Sequence, residues 1–576
     1  ERGFNAYLVR GNMMATLPQH TRTEIDGVLF FSDFDSGNLM RVERVTSYEV
    51  YDRQYNLWVA ADAFERGFNA YRVWFHFGVR GLRKGSIVKF SIVNLGNMRN
   101  LYANNYRPVL KVMPYAPEWT RLTSDCVFLC TGPNMFTLSW YHEVQNLDST
   151  IYFAFTFPYS YEQNLNTIED WESSADSGIY FYRELLTYTA DHRRVDLLTI
   201  SARENLRSDR EQAVPGLFPL QTLRSNRAKK PIVFLTARVH PGETPGSYML
   251  DGFVKAVLAK DRRGELLRKN FVFKVIPMLN PDGVYRGHYR VDQYGLNLNR
   301  CYLEPSPFDQ PTIFATKNYL EYLHFVERNV HSYLDFHAHA SKRNCFVFGN
   351  FLPDLEKQIE TRLLSLLFSV NSAHFDYLDC DFSERSMKAK DPKDVHSKEG
   401  SGRVAIYRST GLILCYTVEC FYHSAKMPTQ YVVKRPESSI SEIYAQGPPY
   451  YGRAIYEEVG IGIAVSLLDF IQANTQSKVL SSEYRSLEGL REKIKNELTT
   501  KPKLALRKTI RLSTEKPMIN VRKVVQRGAQ VSHRLVHKLS IVSPSLANPS
   551  TKVPSRRFLK KADEPKRCKS VANKKA

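Results

Sequence analysis

The sequence predicts an all-β sandwich followed by an α/β domain with a mixed sheet covered by helices on both faces, and then a disordered basic tail. Two observations support the two folded parts. Residues 27–160 contain short alternating or apolar runs separated by Gly, Asn, Pro and Asp, which is typical of antiparallel strands joined by turns. From about residue 180, buried-type strands alternate with helical patterns, which indicates an α/β unit.

The strand-like runs of the first domain are VLFFSDF, YNLWVAAD, YRVWFHFGV, SIVKFSIVN, CVFLC, FTLSWYHEV and IYFAFTFPY. We assign residues 27–160 to the sandwich and residues 161–180 to a linker. Residues 1–7, ERGFNAY, recur identically at 65–71, and the chain has no initiator Met. We therefore treat residues 1–26 as an extension of uncertain origin and predict no fold for it.

The second domain is predicted over residues 181–476. The strand PIVFLTARV leads into the helical stretch TPGSYMLDGFVKAVLAK and then into the strand FVFKVIPMLNPDG. Further strands are expected at YLDFHAH, NCFVFGN and ILCYTVEC, and further helices at 311–330, 353–370 and 452–474. This alternation predicts a mostly parallel or mixed sheet.

The formal charge of +21 is concentrated at one end of the chain. Residues 501–576 hold 21 Lys and Arg against 3 Asp and Glu, a net charge of +18, which leaves +3 for the first 500 residues. A nearly neutral body does not suggest nucleic acid as a substrate. We predict a charged helix and then a disordered basic tail over residues 477–576.

The cysteines and apolar runs indicate the compartment. The eight cysteines form no CxxC pair and no regular framework, which favours reduced thiols. No basic and apolar leader begins the sequence, and no apolar run reaches the roughly 18 residues that a membrane span needs. We expect a cytoplasmic protein, with association to the cytoskeleton and a nuclear pool left open, and without contact to membranes.

The first chemical motif is HPGE, at His240 to Glu243. A catalytic zinc takes three protein ligands, and two of them often lie close in sequence. The motif stands where a buried strand gives way to a helix, which is the edge where open α/β sheets place ligands. Taken alone, this spacing does not separate a metal site from a surface turn with a capping Glu.

Four downstream segments supply the other parts of one site in the expected order: NPDGVYRGHYRVDQYGLNLNR, YLDFHAHASK, GSGRVAIYRSTG and CYTVECFY. With these segments, residues 27–475 resemble the zinc carboxypeptidase family and specifically its cytosolic branch. Within that branch the pattern most resembles the type-5 tubulin deglutamylases. The resemblance implies an α/β carboxypeptidase domain preceded by a sandwich, and one Zn²⁺ per chain.

The resemblance also implies roles for individual residues of the reaction. His240, Glu243 and His337 match the zinc ligands. Glu419 matches the carboxylate that takes a proton from water and later gives one to the departing amine. Arg290 matches the Arg that stabilises the oxyanion, a contact worth roughly 3 kcal/mol in other hydrolases.

Three further positions match residues that bind the substrate. Asn299 and Arg300 match the pair that holds the C-terminal carboxylate, a task that suits a planar guanidinium group. Tyr407 matches the mobile Tyr that closes over the bound terminus.

Two positions near the metal ligands receive separate expectations. Asn297 stands where many secreted relatives carry an Asp that orients a zinc-binding His, so the basicity of that ligand is expected to be lower. His339 is expected to face away from His337 and to have a packing or supporting role.

Specificity for an acidic side chain requires a cation in the pocket. Arg403, close before Tyr407 in the sequence, is the first candidate, and Arg408, Lys388 and Lys390 follow. The alternative for each is a solvated surface charge.

The resemblance implies removal of C-terminal or branch-point glutamate from polyglutamylated proteins such as tubulin. The basic tail would concentrate the chain near acidic microtubule surfaces. Alternatively, the tail is a flexible extension with affinity for RNA or for nuclear import.

Two other functions stay open. The first is a zinc deacylase of acyl-amino acids, which would not be expected to combine Tyr407 with a sandwich. The second is a non-catalytic protein that binds microtubules or nucleic acid, which predicts a broken metal triad or a missing Glu419.

Overall fold

The computed structural model describes residues 21–46, 51–63, 71–132, 135–220, 223–390, 397–425 and 450–500. The first domain is a sandwich of two sheets. One sheet contains, in spatial order, β1 (Arg22–Ile25), β2 (Val28–Phe31), β5 (His76–Arg80), β11 (Thr150–Ala154), β7 (Val109–Met113) and β8 (Ala116–Arg121). The other contains β3 (Arg41–Arg44), β4 (Arg53–Trp58), β6 (Ile87–Leu95), β10 (Met135–Glu143) and β9 (Val127–Gly132).

An aromatic core joins the two sheets. The ring of Trp140 on β10 lies 5.7 Å from Phe90 on β6 and 5.5 Å from Phe153 on β11 (centroid distances), and all three side chains are fully buried. Each of these residues follows a less buried, intermediate position along its strand, which is close to the alternation that predicted a sandwich. The prediction of two β-sheets packed face to face is confirmed.

The sandwich begins earlier than predicted. Strand β1 pairs antiparallel with β2, with Arg22 opposite Phe31, so the expectation of no fold before residue 27 is wrong for this strand. Its sequence RTEI carries one apolar residue and is half exposed, which is too weak a pattern to signal a strand. Residues 1–20 lie outside the described residues.

The second domain is built on a seven-stranded mixed sheet. In spatial order it contains β12 (Ile179–Tyr188), β13 (Arg194–Ala202), β17 (Val272–Ile276), β16 (Ile232–Ala237), β18 (Val330–His339), β20 (Cys415–Phe421) and β19 (Cys345–Phe348). The four strands β17, β16, β18 and β20 run parallel, and the outer pairings are antiparallel. Strands β14 (Leu206–Arg210) and β15 (Asn226–Ala228) form a separate ribbon.

Both domains contain helices in addition to their sheets. They are α1 (Arg99–Tyr102), α2 (Tyr161–Ser174), α3 (Thr244–Leu258), α4 (Arg262–Asn270), α5 (Pro281–Tyr285), α6 (Pro311–Tyr322), α7 (Leu355–Asn371), α8 (Glu384–Lys388), α9 (Gly402–Thr410), α10 (Arg453–Phe470) and α11 (Leu487–Thr499). The segment predicted as a linker therefore contains α2. Ser160 caps this helix by accepting a hydrogen bond from the backbone N–H of Gln163.

Helices cover both faces of the mixed sheet, as predicted. Helices α3 and α10 pack with one hydrophobic core, while α6 and α9 pack with another. Strand β18 shows how the faces divide: Leu334 and Phe336 enter the first core, whereas the intervening Asp335 and His337 point to the other face. The polar face of β18 and β20 at their carboxyl ends is where the functional side chains collect.

The charged helix predicted after residue 477 is present as α11, and it packs on the second domain. Leu490 and Ile494 are fully buried against Leu363 and Leu367 of α7. The predicted disordered basic tail lies outside the described residues. Among helices in the described ranges, none combines the length and the apolar composition that crossing a bilayer requires.

Candidate metal centre and substrate cavity

Two predicted metal ligands lie on the turn between β16 and α3. His240 follows the end of β16, and Glu243 immediately precedes the first residue of α3, which carries a Pro in its first turn. The third predicted ligand, His337, lies near the carboxyl end of the adjacent parallel strand β18. Because parallel strands end at the same edge of a sheet, the fold brings together residues that are almost a hundred positions apart.

The three side chains form a compact cluster. Their ligand atoms all lie within 4.8 Å of one another, and all three residues are buried. Nδ1 of His240 is 2.9 Å from Oε1 of Glu243, and Nδ1 of His337 is 2.9 Å from Oε2 of the same carboxylate. Both imidazole rings therefore present Nδ1 to the centre.

Each imidazole is held at its other nitrogen. Nε2 of His240 lies 3.1 Å from Oδ1 of Asn297, as the sequence suggested for this position. Nε2 of His337 lies 2.7 Å from Oδ2 of Asp335, which is fully buried and also accepts a hydrogen bond from the hydroxyl of Thr236 at 2.7 Å. Such contacts fix the ring orientation and raise the basicity of the ligand.

Asp335 was not identified from the sequence. Its signal is present in YLDFHAH, where Asp335 stands two residues before His337 and therefore on the same face of the strand. The charge that Asn297 does not provide to His240 is thus present beside the other imidazole.

The residues of the cluster fit a zinc ion. Two imidazoles and one carboxylate with an open side are a recurrent donor set for catalytic zinc. Nδ1 of His240 is buried and makes no hydrogen bond of good geometry within the described part of the chain. Burial lowers the pKa of His240 to about 4, so this nitrogen is neutral and available as a donor.

Glu419 lies beside the cluster without belonging to it. It stands opposite His337 in the register of β18 and β20 and is 8% exposed. Its Oε2 has no hydrogen-bond partner among the described residues. Burial raises the pKa of Glu419 to about 8, which gives a carboxylate of high basicity in the wall of the site.

A cavity of about 340 Å³ opens over the cluster. It contains every predicted ligand and catalytic residue and both residues expected to bind the C-terminal carboxylate. Its histidine, charged and amide lining residues are His240, Glu243, Arg290, Asn299, Arg300, His337, His339, Lys398, Arg403 and Glu419. The structure therefore brings together the site residues that the sequence scattered over 180 positions.

Arg403, the first specificity candidate, lines this cavity and is almost fully buried. Its guanidinium donates to the backbone O of Gly349 at 2.7 Å and to Oδ1 of Asn350 at 2.9 Å. Its Cζ lies 5.7 Å from the centre of the Phe348 ring. Burial lowers the pKa of Arg403 to about 10, so the group keeps its positive charge at neutral pH.

Lys398 is a second cation in the cavity, and the sequence did not single it out. Its Nζ lies 4.9 Å from the centre of the same Phe348 ring. Burial lowers the pKa of Lys398, and the positive charges of Arg403 and Arg300 lower it further. Its only sequence signal is its position five residues before Arg403.

The other three specificity candidates, Arg408, Lys388 and Lys390, do not line the cavity. Arg408 is exposed and pairs with Glu399 at 2.5 Å. It is therefore a solvated surface charge, which was the alternative to a role in the pocket. Lys388 is exposed and pairs with Glu384, and Lys390 is also exposed. Lys388 ends α8 and Arg408 lies on α9, and both of these side chains are directed to solvent rather than to the cavity.

Tyr407 is also outside the cavity. It lies on α9, one turn after Arg403, and its half-buried side chain packs against the core that contains Ile406 and Cys415. Closure of Tyr407 over a bound terminus stays a prediction.

The expectation that His339 faces away from the site is wrong. Residues two apart in a strand share a face, and His339 lines the same cavity as His337. Its Nδ1 accepts hydrogen bonds from the backbone N–H groups of Ser341 and Lys342, which fixes the ring at the cavity wall. It is not part of the metal cluster.

Comparison with known families agrees with this geometry. Residues 182–351 match the zinc carboxypeptidase family, and residues 30–156 match the N-terminal domain of cytosolic carboxypeptidases. The chain is 35% identical to cytosolic carboxypeptidase-like protein 5 of Rattus norvegicus, over 81% of this chain and 70% of that protein. The chain belongs to the cytosolic carboxypeptidases. Arg403 and Glu419 lie beyond the matched zinc carboxypeptidase residues, so their place in the site comes from the structure.

Other relatives show the same relation. Cytosolic carboxypeptidase-like protein 5 of Homo sapiens is also 35% identical to this chain, and the matched part of this chain spans 66% of the length of that protein. Cytosolic carboxypeptidase 6 of Homo sapiens is 30% identical, over 78% of this chain and 79% of that protein. Membership in this family implies zinc as the metal of the His240, Glu243 and His337 cluster.

Solved structures support the fold. A metallo-carboxypeptidase from Burkholderia cenocepacia superposes with a TM-score of 0.55 at 18% identity, covering 77% of this chain and 99% of that one. A carboxypeptidase from Shewanella denitrificans gives 0.53 at 20% identity, covering 76% of this chain and 98% of that one. At this level of identity the likeness concerns the fold.

Proposed function

We propose that this cytosolic carboxypeptidase removes C-terminal glutamate from polyglutamylated proteins such as tubulin. The observation that carries the proposal is the set of three cations, Arg300, Arg403 and Lys398, that line the cavity of the metal cluster in addition to Arg290. One cation can bind the terminal carboxylate, and the remaining pair is left to bind an acidic side chain.

His240, Glu243 and His337 would hold the zinc, which would supply the positive charge that acidifies a water molecule and polarises the scissile carbonyl. Glu243 and Glu419 are the carboxylates of the described cavity lining, and Glu243 belongs to the metal cluster. Glu419 is therefore the group that accepts the proton of the water and returns it to the departing amine. We assign the stabilisation of the oxyanion to Arg290, which lines the same cavity.

The pocket for the terminal side chain is cationic. Arg403 and Lys398 both approach the ring of Phe348. The positive charges of Arg403 and Arg300 lower the pKa of Lys398. Crowded like charges are relieved when an anion binds between them. A pocket for basic side chains would need an Asp instead, and no Asp lines the cavity in the described ranges.

The substrate class extends to glutamate chains on acidic tails, both linear and at branch points. The partner proposed for the basic C-terminal residues is the acidic surface of microtubules, because their net charge of +18 favours long-range attraction. The proposed location is the cytoplasm with a share on microtubules. Co-sedimentation with microtubules should fall steeply with rising ionic strength, and salt-independent binding would argue against this part.

Two alternatives make different predictions. A zinc deacylase would release an acyl group from small acyl-amino acids and ignore peptides. A non-catalytic binding protein predicts a broken metal triad or a missing Glu419, whereas the triad is intact and Glu419 stands beside it.

The test measures free amino acid released by purified full-length chain from peptides that end in Glu or in Gln, with zinc or with a chelator. Gln has the shape of Glu without its charge, so it isolates the charge recognition. We expect zinc-dependent release that prefers Glu and is abolished by Glu419→Gln. Equal release of Glu and Gln would contradict the acidic pocket, and release that survives Glu419→Gln would contradict the mechanism. Linear and branched peptides then separate the two glutamate linkages.

A further inference from the structure

The cavity is not built by the α/β domain alone. Tyr71, which belongs to the sandwich, lines it together with Arg290. Asp62, also of the sandwich, is 3% exposed. Its carboxylate accepts hydrogen bonds from three consecutive backbone N–H groups of the α/β domain: Tyr289 at 2.8 Å, Arg290 at 2.7 Å and Val291 at 3.1 Å.

Three N–H bonds on one buried carboxylate fix the backbone of residues 289–291 firmly. A buried N–H group that loses its acceptor is costly, and three such groups depend on this one side chain. The anchored segment carries Arg290, whose Nη1 lies 3.9 Å from Oε1 of Glu243. The position of the guanidinium therefore depends on a residue of the other domain.

Residues 289–291 also contact the turn from His240 to Glu243, which carries two metal ligands. The backbone O of Tyr289 accepts a hydrogen bond from the N–H of Gly242 at 2.8 Å. Gly242 stands between His240 and Glu243, and a Cβ at this position would lie 2.5 Å from a ring carbon of Tyr289. The contact is thus close enough that a shift of residues 289–291 displaces the turn that carries two metal ligands.

Tyr71 completes the contact from the sandwich side. Its backbone O accepts a hydrogen bond from the N–H of Asp62 at 3.1 Å, which ties the two residues together. Its ring lies 5.7 Å from Cζ of Arg290, within the range of a cation–π interaction. One residue therefore holds the backbone of Arg290 and the other contacts its side chain.

We propose that Asp62 and Tyr71 are positioning residues of the active site, and that the sandwich supplies them to orient Arg290 and the turn from His240 to Glu243. The kinetic part of this inference rests on the proposed function, whereas the structural part does not. The sandwich therefore contributes two residues to the active site and does more than lie next to the α/β domain.

The test compares Asp62→Asn with Asp35→Asn in the full-length chain. Asp35 is the matched control, because it is another sandwich carboxylate that accepts a backbone N–H, that of Glu162 at 2.8 Å, and in the described part of the chain it makes no hydrogen bond to residues 289–291. Hydrogen exchange of a peptide covering residues 286–292 should become at least about tenfold faster in Asp62→Asn and stay unchanged in the control. Zinc affinity, measured by competition with a chromophoric chelator, should fall only in Asp62→Asn.

Steady-state kinetics on the Glu peptide separate positioning from a general loss of fold. We expect kcat to fall about tenfold to a hundredfold in Asp62→Asn with little change in KM, because Arg290 acts on the transition state. Tyr71→Ala should also lower kcat, because it removes the ring that lies 5.7 Å from Cζ of Arg290.

The outcomes are distinct. Unchanged exchange at residues 286–292 in Asp62→Asn overturns the inference, whatever happens to the rate, and so does an equal effect of Asp35→Asn. If the wild-type chain releases no amino acid from any peptide, the proposed function fails. The exchange and zinc measurements still decide the positioning role in that case.

Discussion

Oδ2 of Asp335 lies 2.7 Å from Nε2 of His337, at the ring nitrogen that faces away from the carboxylate of Glu243. A neutral amide, Asn297, occupies the equivalent place beside His240. The two imidazoles of one metal site are therefore supported unequally, one by a buried charge and one by a dipole. The buried charge makes His337 the stronger donor of the two.

Asp335→Asn should weaken zinc binding about tenfold to a hundredfold, because it removes the charge and leaves a side chain of the same shape. The measurement is competition with a chromophoric chelator on the full-length chain. Asp251→Asn is a control, since Asp251 is a buried carboxylate of α3 that bonds to the hydroxyl of Tyr159 and not to the site. Zinc affinity that is unchanged in Asp335→Asn would contradict the supporting role.

Lys398→Met should lower kcat/KM for peptides ending in Glu by about tenfold to a hundredfold and leave peptides ending in Gln nearly unchanged. The physical reason is the loss of one charged hydrogen-bond donor to the substrate carboxylate. Arg262→Met is the control, because Arg262 is an exposed cation of the same domain that pairs with Glu265.

Arg403→Met should reduce the preference for Glu over Gln in the same way, but it also leaves the backbone O of Gly349 without its donor. The melting temperature must therefore be recorded beside the rates. If both variants keep the wild-type preference for Glu, the cationic pocket is not the specificity site.

The local parts of the site follow from the sequence, and the contacts between distant segments do not. His240 and Glu243 have a recognisable spacing at the end of a predicted strand, and the two-residue period of β18 already places Asp335 and His339 on the face of His337. Asp62, by contrast, bonds to residues about 227 positions further along, and no periodicity encodes such a contact.

Tyr407 shows the opposite limit. Its half-buried side chain, on the helix from Gly402 to Thr410, packs against a core, and its closure over a bound terminus stays a prediction. The sequence motif identifies the segment that carries Tyr407, but the direction of its side chain depends on the backbone of the helix.

Asp251→Asn should stabilise the folded chain more at pH 8 than at pH 5. Burial raises the pKa of Asp251 from 3.8 to about 7, so the folded state holds a proton that the unfolded state has released. Stability is therefore lost as the pH rises from about 4 to about 7, and the variant escapes this loss. The difference between variant and wild type should grow by about 2 to 3 kcal/mol between pH 5 and pH 8. Chemical unfolding at both pH values measures it, and a difference that does not depend on pH would refute a protonated Asp251.

Arg238 links the turn from His240 to Glu243 to the end of the sandwich at Tyr159. Its side chain is almost fully buried, its Nη1 donates to the backbone O of Tyr159 at 2.9 Å, and its Nε and Nη2 donate to the backbone O of Pro241 at 3.0 and 2.6 Å. Pro241 follows His240 directly, so this fork restrains a metal ligand as well as the junction between the domains.

Arg238→Lys should therefore cost about 2 to 4 kcal/mol of unfolding free energy although the charge is kept, because an ammonium group cannot reproduce the planar fork and leaves buried carbonyl oxygens without donors. Zinc binding should weaken in parallel, since the turn from His240 to Glu243 loses its restraint. Chemical unfolding and zinc competition on the same preparation measure both effects. Arg263→Lys is the control, because the exposed guanidinium of Arg263 makes a comparable fork to Asp261 at the surface and its loss should cost less than about 1 kcal/mol. A loss in Arg238→Lys no larger than in this control would mean that the fork does not stabilise the turn.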